Sequence, residues 1–144
     1  MAELSLAVIV PVYRNEGSIP ELVERLSALQ ARWHGPFEAT FVVDGSPDRS
    51  SALLRQILAD GTLRARVLEL SRNFGSFAAI RAGLEATSTD LVAVMAADLQ
   101  EPTELVLDLA QTLLAEDLDV VVGTRTARKD PLVSRLASGL FWRL

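Results

Sequence analysis

Between Leu6 and Val122 the chain repeats one pattern: a short, nearly unbroken apolar run, a polar break, then apolar residues at helical spacing. The runs are Leu6–Val10, Ala39–Val43, Val67–Leu70, Leu91–Ala97 and Val120–Val122. Short runs without polar alternation suit strands covered on both faces. Between them, three groups keep the helical period: Leu22, Val23, Leu26 and Leu29; Leu53, Leu54, Ile57 and Leu58; Phe77, Ile80, Ala82 and Leu84. Thr103–Ala115 makes a fourth helix after Pro102, and the helical pattern resumes at Pro131. Ser18-Ile19-Pro20-Glu21 has the spacing of a capping box with proline in the first turn. Strands that alternate with helices imply an α/β fold, a mostly parallel sheet with right-handed crossovers and helices on both faces.

Such sheets bind ligands beyond the carboxyl ends of the strands, where the strand order reverses. Those ends are Pro11–Glu16, Asp44–Asp48, Ser71–Gly75, Asp98–Pro102 and Gly123–Arg125, and the polar residues concentrate there. The length of 144 residues and the 49% hydrophobic content suit one domain with one core, and argue against disorder. No cysteine is present, so disulfides and cysteine metal sites are excluded. The single histidine, His34, has no second histidine to join it in a metal site and is expected at the surface. The N-terminus has no basic stretch ahead of its apolar run, unlike a signal peptide. Leu91–Ala97 falls far short of the roughly 18 residues of a membrane span.

Four clusters carry donors and acceptors suited to a site. In Pro11-Val12-Tyr13-Arg14-Asn15-Glu16, Tyr13 could stack on a base and Glu16 accept hydrogen bonds from hydroxyls or amines; equally, this is a loop leading into a helix. Asp44-Gly45-Ser46-Pro47-Asp48 places a carboxylate and a hydroxyl at a strand end, or is a turn in which Ser46 or Asp48 caps the next helix. Asp98 and Gln100, two apart on a segment expected to be extended, would point the same way. Their oxygens suit Mg²⁺ or Mn²⁺, and helix capping before Pro102 is the alternative. Ser71-Arg72-Asn73-Phe74-Gly75 offers a cation, an amide and a glycine to an anion, without the pattern of an ATPase phosphate loop.

Charge is unevenly placed. From Gly123 to Leu144 five basic residues face Asp130 alone, a balance of +4, against −9 for the remainder. An anionic partner suits that segment, either a phosphate or an anionic membrane surface. Its stripe of Leu132, Val133, Leu136, Leu140 and Leu144 runs to the final residue without a stop signal. The domain, 1–144, is therefore expected to be incomplete at its C-terminal end, and the stripe could pair two copies in a homodimer.

The clusters also resemble a known family when taken in order. VIVPVYRNEGSIPELV, VVDGSPDRS, LSRNFGSFAAIRAGLEATSTDLVAVMAADLQEPTEL and VVVGTRTARKDPLVSRLASGLFWRL are together similar to family 2 glycosyltransferases, in the branch of dolichol-phosphate mannose synthase and the bacterial polyprenyl-phosphate glycosyltransferases. The resemblance implies the Rossmann-like GT-A fold. It implies that Pro11, Tyr13 and Glu16 contact a nucleoside, with Asp44, Arg72, Asn73 and Gly75 beside the nucleotide. It also implies that Asp98 and Gln100 bind Mg²⁺ or Mn²⁺, and that Arg125, Arg135 and Ser138 handle the diphosphate and the acceptor phosphate. Two positions depart from the family pattern: Val43 and Ala96 each stand where an aspartate is usual. The resemblance ties the first to nucleobase recognition and the second to the metal, so a weak metal site is expected from Ala96.

The implied reaction is an inverting displacement at the anomeric carbon of a nucleotide-diphosphate sugar. A polyprenyl phosphate acceptor is already anionic and needs no base; a hydroxyl acceptor would need one, with Glu101 or Asp130 as candidates. A catalytically weak nucleotide-sugar-binding module, acting in regulation or assembly, is the alternative. The expected location is cytoplasmic, peripheral to the membrane, and nucleic acid is not an expected partner.

Overall fold

The computed structural model describes residues 3–124. Eight elements follow in alternation: β1 (Leu6–Val12), α1 (Ile19–Arg32), β2 (Phe37–Asp44), α2 (Ser50–Leu58), β3 (Ala65–Leu70), α3 (Ser76–Glu85), β4 (Leu91–Val94) and α4 (Leu105–Ala115). The sheet order is β3-β2-β1-β4, and every pairing in it is parallel. Order therefore reverses at β1, where the chain has stepped outward to β3 and returns to lay β4 on the other side.

β1 is apolar on both faces because both are covered. Leu6, Val8, Val10 and Val12 join α1, α2 and α4 in the main core, with Leu22, Leu26, Leu54 and Leu107 among their partners. Ile9 and Val42 face the opposite way and pack with Ala79 of α3. The helices thus cover both faces, as the alternation implies. Glu21 in the first turn of α1 and Arg32 in its last both complement the helix dipole.

Three local readings of the sequence are corrected. Ser18 makes no side-chain cap; its hydroxyl instead donates to the carbonyls of Asn15 at 3.1 Å and Ala97 at 2.6 Å, so the capping box does not form. α3 contains Phe77, Ile80, Ala82 and Leu84, as read from the sequence; its buried residues are Ala79 and Gly83, while Phe77 is 87% exposed and Leu84 also faces outward. That helix lies too close to the sheet for a large side chain: a Cβ on Gly83 would fall 2.6 Å from Cγ2 of Ile9. The fourth strand ends at Val94 rather than Ala97, because the chain turns there into the site. The run Val120–Val122 forms no strand among the described residues, and Val120 and Val122 are mostly exposed. The helix expected from Pro131 onward lies outside the described residues. His34 is exposed, as expected.

Candidate functional site

The carboxyl ends of all four strands open onto one cleft of about 310 Å³. Its walls are Pro11, Val12, Tyr13 and Asn15 after β1, Asp44 at the end of β2, Asn73, Gly75 and Ser76 leading into α3, and Ala96, Ala97 and Asp98 after β4. This is the reversal point of the sheet, where an open α/β fold has free strand ends and no crossover to fill the space.

The loop after β1 is held by side chains from the loop after β2 and the first residue of α2. Three consecutive amides donate across the gap: Arg14 to Ser46 Oγ at 2.8 Å, Asn15 to Ser50 Oγ at 3.2 Å, and Glu16 to Asp48 Oδ2 at 3.2 Å. The Arg49 amide returns a bond to Glu16 Oε2 at 2.9 Å. Asp48 Oδ1 accepts the Ser46 hydroxyl at 2.6 Å and the Ser50 amide at 3.1 Å. Desolvation pushes the Asp48 pKa up. The hydrogen bonds from the Ser46 and Ser50 side chains and from the Ser50 and Glu16 amides outweigh it, lowering the pKa from 3.8 to about 2. Arg14 sits at φ 56°, in the left-handed region, so the loop turns sharply and leaves Tyr13 40% exposed at the cleft. The Arg14 guanidinium lies over the Tyr13 ring, 5.4 Å from its centroid.

Asp44 fixes the loop after β3. It is 2% exposed, and its two oxygens accept the amides of Phe74 at 2.7 Å and Gly75 at 2.9 Å. The two backbones touch here. Gly45 has φ 60°, and a Cβ on it would lie 2.3 Å from the carbonyl carbon of Arg72, so no other residue fits without moving that loop. Arg72 itself stacks over the Phe74 ring, 4.3 Å from its centroid.

Asp98 lies on a turn, not on the extended segment expected. Leu99 takes φ 59°, and the Gln100 amide donates to Asp98 Oδ1 at 3.2 Å. Asp98 is exposed at the cleft, while the bond from Ser18 to the Ala97 carbonyl ties this turn to the start of α1.

Of the residues singled out in the sequence, Pro11, Tyr13, Asp44, Asn73, Gly75 and Asp98 meet at the cleft. Glu16, Arg72 and Gln100 do not line it; the Glu16 carboxylate is taken up by the Arg49 amide. Arg125, Arg135 and Ser138 lie outside the described residues. Val12, Asn15, Ser76 and Ala97 line the cleft and were not singled out. For Asn15 the signal was present: it stands two residues from Tyr13 in the same loop, and its side chain accepts the Tyr13 amide at 2.9 Å. The two departures from the family pattern differ in place. Val43 is buried in the main core and does not line the cleft, whereas Ala96 does.

The sequence profile described as Glycosyl transferase family 2 matches residues 7–141. The chain is 38% identical over 134 residues to an undecaprenyl-phosphate 4-deoxy-4-formamido-L-arabinose transferase of Pectobacterium carotovorum, covering 93% of this chain and 41% of that one. It is 36% identical to the dodecaprenyl-phosphate galacturonate synthase of Rhizobium johnstonii, covering 92% and 39%. The chain thus spans about two fifths of the length of these curated relatives. Among solved structures, Staphylococcus aureus TarS 1-349 in complex with UDP-GlcNAc superposes with a TM-score of 0.66 at 23% identity, over 89% of this chain and 37% of that one. The mannosyltransferase PcManGT of Pyrobaculum calidifontis, solved with GDP-Man and Mn²⁺, superposes with a TM-score of 0.60 at 20% identity, over 75% and 32%. These likenesses give the fold, the mostly parallel, Rossmann-like sheet of the GT-A glycosyltransferases. The matched sequence profile, the identity to the relatives and the shared fold agree: the chain belongs to glycosyl transferase family 2.

Proposed function

We propose that this chain carries the donor-binding part of an inverting glycosyltransferase that moves a sugar from a nucleotide-diphosphate sugar to a polyprenyl phosphate. The carrying observation is the cleft at the reversal point. It sets an aromatic ring (Tyr13), two amides (Asn15 and Asn73) and one exposed carboxylate (Asp98) around one space in a family 2 chain. The names of the relatives, both sugar transferases of polyprenyl phosphates, support the acceptor class.

In this reading Tyr13 stacks on the base, and Asn15 and Asn73 hydrogen-bond the nucleotide. The loop after β3, fixed by Asp44, lies beside the diphosphate. Among the described residues no three His, Cys, Asp or Glu side chains cluster. Asp44 spends its oxygens on amides, so among the described residues Asp98 is the cleft carboxylate that would hold a divalent ion, with the donor's phosphates as its other ligands. Bound there, Mg²⁺ or Mn²⁺ supplies positive charge to the leaving diphosphate. Asp98 is the principal protein ligand in this account; the proposed roles of Arg125, Arg135 and Ser138 at the phosphates complete it. No helix among the described residues is long and apolar enough to cross a membrane. The +4 segment from Gly123 to Leu144 is proposed to meet the anionic cytoplasmic face of the membrane, where the acceptor resides.

Incubation with a panel of labelled UDP- and GDP-sugars, a short polyprenyl phosphate and soluble hydroxyl acceptors tests the reading. Label transferred to the polyprenyl phosphate is expected; transfer to hydroxyl acceptors alone contradicts it. Ala96 at the cleft favours a second reading, a binding module with little turnover. Nucleotide binding without transfer to any acceptor selects that one.

A further inference from the structure

We propose that Asp48 is the positioning residue of the cleft: it holds the loop after β1 in the shape that presents Tyr13 and Asn15. Asp48 does not line the cleft, so any effect on a ligand must pass through that loop. Its two oxygens join three pieces of chain. Oδ1 takes the Ser46 hydroxyl and the first amide of α2, at Ser50, and Oδ2 takes the Glu16 amide. Orienting the Ser46 hydroxyl toward Oδ1 leaves its lone pairs facing the Arg14 amide, which donates to the same oxygen at 2.8 Å. Asp48 therefore governs all three amide bonds that hold residues 14 to 16: that of Glu16 directly, that of Arg14 through the Ser46 hydroxyl and that of Asn15 through the Ser50 hydroxyl, whose side chain also bonds Asp48.

The loop needs such a hold. Arg14 is in a conformation that side-chain-bearing residues rarely keep unaided, and Tyr13 stands partly exposed rather than packed in the core. The Glu16 carboxylate reinforces the same junction from the other side by accepting the Arg49 amide. A carboxylate is required at position 48 because donors meet both oxygens. In Asp48→Asn one donor would face an NH₂ group, and the junction would lose either the Glu16 bond or the Ser46 and Ser50 bonds. Asp48→Glu keeps two accepting oxygens on a longer arm.

The proposal rests on reading the cleft as a nucleotide site, and its test has two arms. The first is amide hydrogen exchange at Arg14, Asn15 and Glu16, with Val8 and Val10 of β1 as internal references. The second is calorimetric affinity for UDP and for GDP. In Asp48→Asn, exchange at the three loop amides should rise about tenfold with the references unchanged, and affinity should fall about tenfold, the scale of one lost charged hydrogen bond. Asp48→Glu should recover part of both. Glu69→Gln, which disturbs a carboxylate bonded to Ser51 and Arg55 away from the cleft, should change neither. Unchanged loop exchange in Asp48→Asn would overturn the proposal, as would faster exchange with unaltered affinity. If the unmodified protein binds neither nucleotide, the reading of the cleft fails and takes the positioning role with it, while the exchange arm still reports on the junction.

Discussion

Asp44 ends β2 and Asp98 follows β4, the two strands that flank β1, and they are used in opposite ways. Asp44 is buried, with an amide on each oxygen, so it builds the wall of the cleft. Asp98 is exposed and accepts the Gln100 amide at Oδ1, so it is the cleft carboxylate turned toward a ligand. Asp44→Asn should cost about 1–3 kcal/mol of stability in urea unfolding, since one buried amide would then face a donor. At position 96, Ala96→Asp should tighten Mn²⁺ binding in the presence of nucleotide, because affinity follows the number of charged oxygen ligands. The same change at Val43 would bury a charge in the core instead. Asp48 adds a pH dependence with a defined sign. Its folded pKa lies below its ordinary value, so its contribution to stability is complete above about 3.8 and is lost as pH falls toward about 2. The acid limb of a stability profile across that window should flatten in Asp48→Asn. Residue identities in the sequence named Asp44 and Asp98 as site candidates, but their division of labour was not legible there. It depends on the backbone amides of Phe74 and Gly75, which are distant in sequence and carry no residue signature.

All four described strands and all four described helices were legible from apolar spacing, because each buries a face against the sheet or a helix. Three details were not legible, each for a physical reason. In α3 the large apolar residues set the period, yet the helix turns its small residues, Ala79 and Gly83, to the sheet. Close approach over Ile9 and Val42 governs the face, and spacing alone does not report it. Gly83→Ala should therefore destabilise the fold by about 1–3 kcal/mol in a chemical melt, the overpacking cost exceeding the roughly 1 kcal/mol gained in helix propensity. No loss would show that Ile9 yields easily. At Val120–Val122 the β-branched run reads as a strand on propensity, but a strand exists only where an edge receives it. The capping box at Ser18 failed for a related reason. Its hydroxyl found the Ala97 carbonyl, a partner supplied by the tertiary fold.

At the scale of the molecule, the site is a product of topology. No single loop builds it; four loops do, brought together because the sheet reverses between β1 and β4. Alternation of strands and helices foretold that meeting place, which is why six of the residues singled out beforehand line one cleft. The bonds that tie Glu16 to the loop after β2 were not foretold. This cleft is proposed to take a nucleoside diphosphate with a divalent ion on Asp98. Calorimetric titration with UDP and with GDP, with and without Mn²⁺, on the unaltered chain and on Asp98→Ala, tests it most directly. One of the two nucleotides should bind, Mn²⁺ should tighten that binding, and Asp98→Ala should abolish the tightening while leaving metal-free binding in place. The claim is contradicted if a folded sample binds neither nucleotide at concentrations on the order of millimolar, or if the Mn²⁺ effect survives intact in Asp98→Ala.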